Sequence, residues 1–437
     1  MVDERLSLEE LHEIWQILSF DERLEAFLLL ERGVADTFFL ELTTSAQIQL
    51  LTSMRAGEQR LWLRVLPPDD AADLLQNLVE PERTLMLEML DEKTRQEVVA
   101  LMAYAEDAAG GLMSPRFARL RPEMTVGEAI RYLRRQATEK LETIYYAYVL
   151  DHAQHLRGCV TFRDLFISPE DAALSAVMKT DVITVSETLD QEAVATIMAR
   201  HDLNAVPVLA EDGTMKGIVT IDDIVDVVRR EATEDIQKLG GMEALDTPYM
   251  QTAVLSMIRK RAGWLSALFL GEMLTASAMG HYENEISKAV VLALFIPLII
   301  SSGGNSGSQA TTLIIRAMAL GEVTIGDWWR IARRELIAGL CLGLILATLG
   351  LIRILLWQAA FHSYGEHYVR VALSVAASLI GVVTWGTLSG SMLPFVIRRI
   401  GFDPASASAP FVATLVDVSG LVIYFNVAKL ILGGSLL

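Results

Sequence analysis

The rhythm of apolar and polar residues changes three times along the chain. From the N-terminus to about residue 112, Leu and Met recur at helical spacing, as in Leu74/Leu78 and Leu85/Met89. That spacing places them on one face of short amphipathic helices. Ser7-x-x-Glu10 and Ser19-x-x-Glu22 have the form of capping boxes, and Pro67-Pro68-Asp69-Asp70 and Glu80-Pro81-Glu82 open further helices. The pattern predicts an all-α superhelical domain of solenoid type over residues 1–112. Its carboxylates read as a solvated face, and the glycines of Gly110-Gly111 allow a turn out of it.

Residues 113–222 repeat themselves. Leu112-Met113-Ser-Pro pairs with Val177-Met178-Lys-Thr, and Arg157-Gly158-Cys-Val-Thr161 pairs with Lys216-Gly217-Ile-Val-Thr220. Each unit carries an apolar strand, at 145–150 or 205–209, followed by a turn, a strand and a helix, which predicts an α/β pair.

The third rhythm is one long amphipathic helix that begins near residue 222 and ends at Gly240-Gly241. Asp223, Asp226, Glu231, Glu234 and Asp235 make much of its polar surface negative. A second helix is expected from about Pro248, so residues 223–258 form an acidic connector. A charge run usually means a solvated face. Here it joins two modules, and crowded carboxylates repel until a cation bridges them. Mg²⁺ keeps several waters when bound, so a loose acidic interface suffices. Asp190 and Glu192, in the second repeat, are candidates for the facing side.

From residue 259 onward, long apolar runs predict five membrane spans, at 262–279, 289–313, 336–356, 369–397 and 410–436. Basic residues cluster at Arg259-Lys260-Arg261, at Arg316 with Arg330, Arg333 and Arg334, and at Arg398-Arg399. All three clusters fall on one side if the N-terminus is cytoplasmic, which puts Leu437 outside. Asp417 sits in mid-span, where a carboxylate costs roughly 2.5–3.5 kcal/mol or more to insert. Ala409, Ala413, Asp417, Gly420 and Tyr424 form a small or polar stripe, while Phe411, Leu415, Val418 and Val422 lie elsewhere. The carboxylate either holds helices together or meets a cation on a permeation path. Glu272 is a second intramembrane carboxylate with the same two readings. Ser301-Ser-Gly-Gly-Asn305-Ser-Gly-Ser-Gln309 either lets helices pack closely or breaks the span and exposes carbonyls.

Charge sharpens this division. Of 437 residues, 52% are hydrophobic and the mean hydropathy is +0.36. Residues 259–437 carry 13 Lys+Arg and 9 Asp+Glu, whereas residues 1–258 carry 24 and 46. The front is thus strongly acidic, which argues against nucleic acid and for cations as its partner. No signal-peptide pattern opens the chain, so the front is expected to stay in the cytoplasm. Cys159 and Cys341 are the only cysteines and imply no disulfide framework. No nucleophile–base set, P-loop or His-based metal motif is present, so no enzyme is expected.

The repeat resembles a tandem pair of cystathionine-β-synthase (CBS) domains. Such pairs dimerise and often sense adenine nucleotides, which would place ATP near Thr161, Arg163 and Asp164 or near Thr220 and Asp223. Capping of a helix by Asp explains the same residues. Taken together, Gly303-Gly304-Asn305-x-Gly307-x-Gln309, Pro410-x-Val-Ala-Thr414-x-x-Asp417, the CBS pair and the acidic connector resemble the MgtE magnesium channels. The resemblance implies a helical N-domain, the CBS pair, a plug helix and five spans in a homodimer of the bacterial inner membrane. It implies a pore lined by Asp417, Glu272, Asn305, Ala413 and Thr414, through which hydrated Mg²⁺ passes. It also implies gating metal ions at Asp107, Asp190, Glu192, Asp223, Asp226, Glu231, Glu234 and Asp235. Ala409 and Glu272 stand where some relatives carry Asn and Gly. The alternatives are an anion channel, disfavoured by the acidic spans, and a membrane-anchored Mg²⁺ or nucleotide sensor that transports nothing.

Overall fold

The computed structural model describes residues 8–433 apart from 16, 137–140, 144, 246, 248, 251, 289, 363, 365 and 366. The helix starts expected at Ser7 and Pro248 lie outside the described residues, as do the end of the last span and Leu437. The chain divides into two compact units, Met1–Glu231 and Ala232–Leu437.

In the first unit, short helices stack in two rows. Thr44–Ser53 packs on Pro68–Gln76, which packs on Glu92–Leu101, while Ala56–Leu63 packs on Glu82–Met89. Contact between alternate helices is the arrangement of a superhelix. The expected capping box at Ser19 is formed: its N–H and hydroxyl both donate to the Glu22 carboxylate, at 2.8 and 2.6 Å. Where a glycine turn was expected, Ala109–Leu112 is a short buried helix. One apolar core runs from Leu11 and Phe38 through Leu74 and Val98 to Val194, Val206 and Val227. The helical domain and the second repeat therefore share a single core.

The repeat is exact in its pairing. Strands β1 (Ala118–Leu120), β2 (Tyr146–Leu150) and β3 (Leu156–Thr161) form one sheet. Strands β4 (Val185–Ser186), β5 (Ala205–Leu209) and β6 (Met215–Thr220) form the other. In both, the first pair is parallel and the second antiparallel, with a register shift at Val149/Leu150 and at Val208/Leu209. The segments that lead into the two sheets are exchanged. Ser114 bridges to Ile218 and Lys179 to Cys159. Glycine is required beneath each crossing: a Cβ at Gly158 would lie 2.7 Å from the Lys179 carbonyl oxygen, and one at Gly217 2.8 Å from that of Ser114.

In the second unit, four helical segments are long and apolar enough to cross a membrane: Val290–Ala319, Ile325–Phe361, Tyr368–Arg399 and Ala409–Leu432. The fifth expected span lies in the helix Val254–His281, whose 28 residues reach about 42 Å. Glu272 and several small polar residues dilute its hydropathy, and it is not among the four. Tyr368–Arg399 is the central helix. Gly303 and Gly307 face Gly386 and Gly390, and Gly339 and Gly343 lie against Thr384 and Ile380. Small residues let helix backbones touch where lipid offers no hydrophobic drive. Ser306 and Thr387 hydrogen-bond at 2.6 Å, and Thr311 donates to the carbonyls of Gly307 and Gly390. The helix Ile296–Ala319 runs unbroken through the Ser/Gly segment. Close packing is thus realised there, and the expected alternative of a broken span is not.

Ile314, Met318, Ile331 and Phe395 cluster together. This contact gathers the ends that carry Arg316, Arg330, Arg333, Arg334, Arg398 and Arg399. Leu239 of the connector packs near the same end, with Ile315, Ala405 and Ala407.

The glycine contacts give a stability test. A Cβ at Gly390 would stand 2.2 Å from the Gly307 carbonyl oxygen, whereas one at Gly263 meets nothing within 4 Å. Gly390→Ala should lower the unfolding free energy in detergent by about 1–3 kcal/mol. Gly263→Ala should leave it unchanged or slightly raised, both read from the midpoint of denaturant unfolding.

Candidate cation sites

Two groups of carboxylates stand out, one in each unit. In the second unit, the helix Ala409–Leu432 opens with Ser408 as its cap and Pro410 in its first turn. Its orientation follows the stripe expected from the sequence. Phe411, Leu415 and Val422 are exposed, Gly420 and Tyr424 are buried, and the Tyr424 hydroxyl donates to the Leu292 carbonyl at 2.8 Å. Asp417 lies between these faces and borders a cavity of about 440 Å³ with Glu272, Thr275, Asn305 and Ala413. The Glu272 carboxyl comes within hydrogen-bonding reach of Asp417. Among the described residues, no Lys, Arg or His lines the cavity. Thr414, also expected at the pore, turns its hydroxyl onto the Pro410 carbonyl at 3.1 Å.

The first unit holds a denser acidic group than the sequence suggested. Helix Pro68–Gln76 presents Asp69 and Asp70 toward Glu142 and toward Asp222, Asp223 and Asp226 at the start of helix Ile221–Leu239, and Asp73 toward Arg230 and Glu106. Asp69 is only 7% exposed, and its Oδ1 has no hydrogen-bond partner. Burial, with Asp223, Glu142 and Asp70 close by, pushes its carboxyl well above the usual range. Burial raises Asp223 to about 8, helped by Asp222, Asp70 and Glu142 and opposed by a 2.7 Å hydrogen bond from Thr220. Burial raises Asp70 to about 6 and Asp73 to about 7, the latter against the pull of Arg230. Glu142 is also raised by burial, although Ser114 donates to it at 3.0 Å. Among the described residues, no three His, Cys, Asp or Glu are grouped tightly enough to cage one metal ion. The arrangement instead suits an ion that keeps part of its water shell.

Asp223 and Asp226 were anticipated here; Asp69, Asp70, Asp73, Glu142 and Asp222 were not. The available signal was Asp69 itself, which interrupts the stripe Leu66, Ala72, Leu75 at helical spacing. The other expected gating residues are placed apart. Asp107 and Asp190 border a second cavity, of about 380 Å³, beside Glu187 and Tyr104. There the Asp107 carbonyl accepts from the Gln191 N–H at 2.8 Å, and Asp190 caps its helix through the Glu192 N–H at 2.9 Å. Glu231 accepts a hydrogen bond from Gln191. In the first CBS-like repeat, Thr161 and Asp164 close a capping box on helix Phe162–Ile167, with Lys179 at 3.8 Å from Asp164 and Arg163 exposed.

Comparison with known proteins agrees with this architecture. Residues 6–107 match the MgtE intracellular N domain, 109–169 and 174–230 match CBS domains, and 296–427 match the MgtE divalent cation transporter domain. The magnesium transporter MgtE of Thermus thermophilus is 38% identical over 433 residues, which cover 97% of this chain and 94% of the relative. The chain belongs to the MgtE family. The magnesium transporter MgtE of Enterococcus faecalis is 35% identical over 76% of this chain and 71% of its own length. A crystal structure of the cytosolic domain of the Mg²⁺ channel MgtE in complex with ATP is 36% identical, with a TM-score of 0.48 over 51% of this chain and 91% of that chain.

In this MgtE-family chain, the end of the connector is fastened to the segment just before the helix that carries Asp417. Lys238 donates to Asp403 at 2.6 Å and also pairs with Glu234. Burial opposes its charge, but the two carboxylates outweigh burial and raise its pKa. Gly241, at φ +74°, lies under Trp264, whose Nε1 donates to Ser408 Oγ at 3.1 Å. Ser408 is the cap of the Asp417 helix. Glu234 is thus engaged by Lys238, while Asp235 lies three residues before it on the same helix.

Two outcomes are expected. The raised carboxyls hold protons in the folded chain that the unfolded chain releases above about pH 4. Stability at helix Pro68–Gln76 is therefore fully present below that pH and is lost as pH rises through 6 to 8. In chelator, hydrogen exchange of that helix, corrected for intrinsic rates, should lose about tenfold in protection between pH 6 and 8. Asp223→Asn should flatten the slope. Separately, Lys238→Ala should speed proteolytic cleavage at Gly240-Gly241 by about fivefold, as expected for a half-exposed ion pair worth ~1 kcal/mol. The exchange Lys238→Asp with Asp403→Lys should restore part of the protection.

Proposed function

We propose that the chain is a Mg²⁺-selective channel that mediates Mg²⁺ uptake and closes when cytoplasmic Mg²⁺ is high. The observation that carries this reading is the cavity inside the helical unit, with Asp417 and Glu272 on its wall and no basic side chain to neutralise them. A carboxylate placed in a membrane without a protein counter-charge needs a proton or a cation. Mg²⁺ dehydrates reluctantly, so a polar wall and a carboxylate suit its hydrated form better than a closed cage would. The magnesium transporters that match this chain almost end to end support the same cargo. In a homodimer, two copies of Asp417 would face a pore on the two-fold axis. The basic clusters gathered at one end of the bundle support a cytoplasmic N-terminus. The membrane potential then drives entry at roughly 2.3 kcal/mol per charge per 100 mV.

Gating rests on the buried acidic group. Ions bridging Asp69, Asp70, Asp223 and Asp226 would hold the start of the connector helix to the helical domain. The Lys238–Asp403 pair and the Trp264–Ser408 contact tie its far end to the Asp417 helix. Moving such a two-state equilibrium from 1:99 to 99:1 takes about 5.5 kcal/mol of differential binding, which several sites can supply together. ATP at Thr161, Arg163 and Asp164 would have to share Asp164 with the capping Thr161. It is a separate, regulatory reading of the first repeat.

Influx into proteoliposomes decides the matter. Asp417→Ala should abolish Mg²⁺ influx. Unchanged influx would remove Asp417 from the path and leave a membrane-anchored sensor. For gating, Mg²⁺ should protect the connector from protease in the wild-type chain and fail to do so in Asp69→Asn/Asp223→Asn. Protection that survives in that variant would reject the bridging role.

A further inference from the structure

Glu272 reaches Asp417 from a different helix. Gly271 permits the approach, since a Cβ there would lie 2.9 Å from Thr414 Cγ2. One turn further along the Glu272 helix, the Thr275 hydroxyl borders the same cavity, is enclosed, and has no hydrogen-bond partner. Asn305 stands on the cavity wall as well. On the two helices that carry these carboxyls, the basic groups stand more than two turns away. Lys429, three turns beyond Asp417, pairs with Glu285 at 3.4 Å. Arg261 lies 11 residues before Glu272, about 16 Å along the helix.

Two carboxyl groups in contact, with an orphan hydroxyl beside them, differ in kind from a single carboxylate facing a wet lumen. They offer several oxygen atoms close enough together to replace waters on one ion. Mg²⁺ resists that replacement and demands near-ideal octahedral geometry at 2.0–2.1 Å. Mn²⁺ shares the preference for carboxylate and carbonyl oxygen without that reluctance. We propose that Glu272 is a specificity-determining residue: with Asp417 it coordinates Mn²⁺ directly, so that Mn²⁺ competes with Mg²⁺ inside the cavity. The inference rests on the pore reading above and adds to it a second ligand and a competing cation.

The test uses the full chain in proteoliposomes, with Mg²⁺ influx measured against increasing Mn²⁺ on the side opposite the N-terminal unit. The quantity read is the half-inhibiting Mn²⁺ concentration divided by the half-saturating Mg²⁺ concentration. Glu272→Gln should raise this ratio about tenfold, as loss of one charged ligand affects a direct site more than a hydrated one. Glu272→Asp, which keeps the carboxylate, should fall between the two and carries the comparison if Glu272→Gln does not fold. An unchanged ratio in these variants overturns the proposal. Asp417→Asn separates the two levels. If it stops Mg²⁺ influx while the Glu272 variants leave the ratio unchanged, only the Mn²⁺ inference falls. If it conducts Mg²⁺ like the wild type, the pore reading falls with it.

Discussion

Carboxylates held away from water without a basic partner are the constraint on which this structure turns. Asp69, Asp70 and Asp223 in one unit, and Glu272 and Asp417 in the other, are crowded by like charge. Desolvation and mutual repulsion both disfavour such groups, and a protein retains them only where a proton or a cation offsets the cost. In the acidic unit the raised carboxyl pKa values mark that cost. A divalent ion would offset the same repulsion with more charge.

The scaffold that holds these groups is built by close approach. In the helical unit, Gly303 and Gly307 meet Gly386 and Gly390 backbone to backbone, and hydroxyl–carbonyl bonds from Thr311 reinforce the contact. This fixes the Ile296–Ala319 helix, and with it Asn305, on one wall of the cavity. In the repeat, the exchange of Ser114 and Lys179 over Gly217 and Gly158 ties the two sheets reciprocally. The shared core then welds the helical domain to the second repeat, so that Asp69 meets Asp223 across packed apolar surface.

Within the second unit, specific contacts tie the end of the connector helix to the segment that opens the Asp417 helix. The connector helix begins among the buried carboxylates and ends at Lys238, whose partner Asp403 lies just before the Asp417 helix. Trp264 reaches Ser408 from the helix that carries Glu272.

Much was legible in the residues alone. Periodicity of 3.6 marked the front helices and the connector, self-similarity marked the double sheet, and long apolar runs marked five spans, four of which are long and apolar enough in the structure to cross a membrane. Asp417 was conspicuous because a charge in an apolar run has no local explanation, and its stripe set the helix orientation correctly. The run at 262–279 is the least apolar of the five, because Glu272 and small polar residues lower its hydropathy. What tertiary structure alone decided were the meetings between distant segments. Asp69 looked like a helix-start residue on a solvated face, because its burial and the like charge of Asp223 and Glu142 come from segments far away in sequence. The Ser/Gly segment could have broken its helix, and packing against Gly386 and Gly390 kept it whole. Local patterns are written in the energies of neighbouring residues, whereas burial, repulsion and contact between helices depend on which surfaces fold against each other.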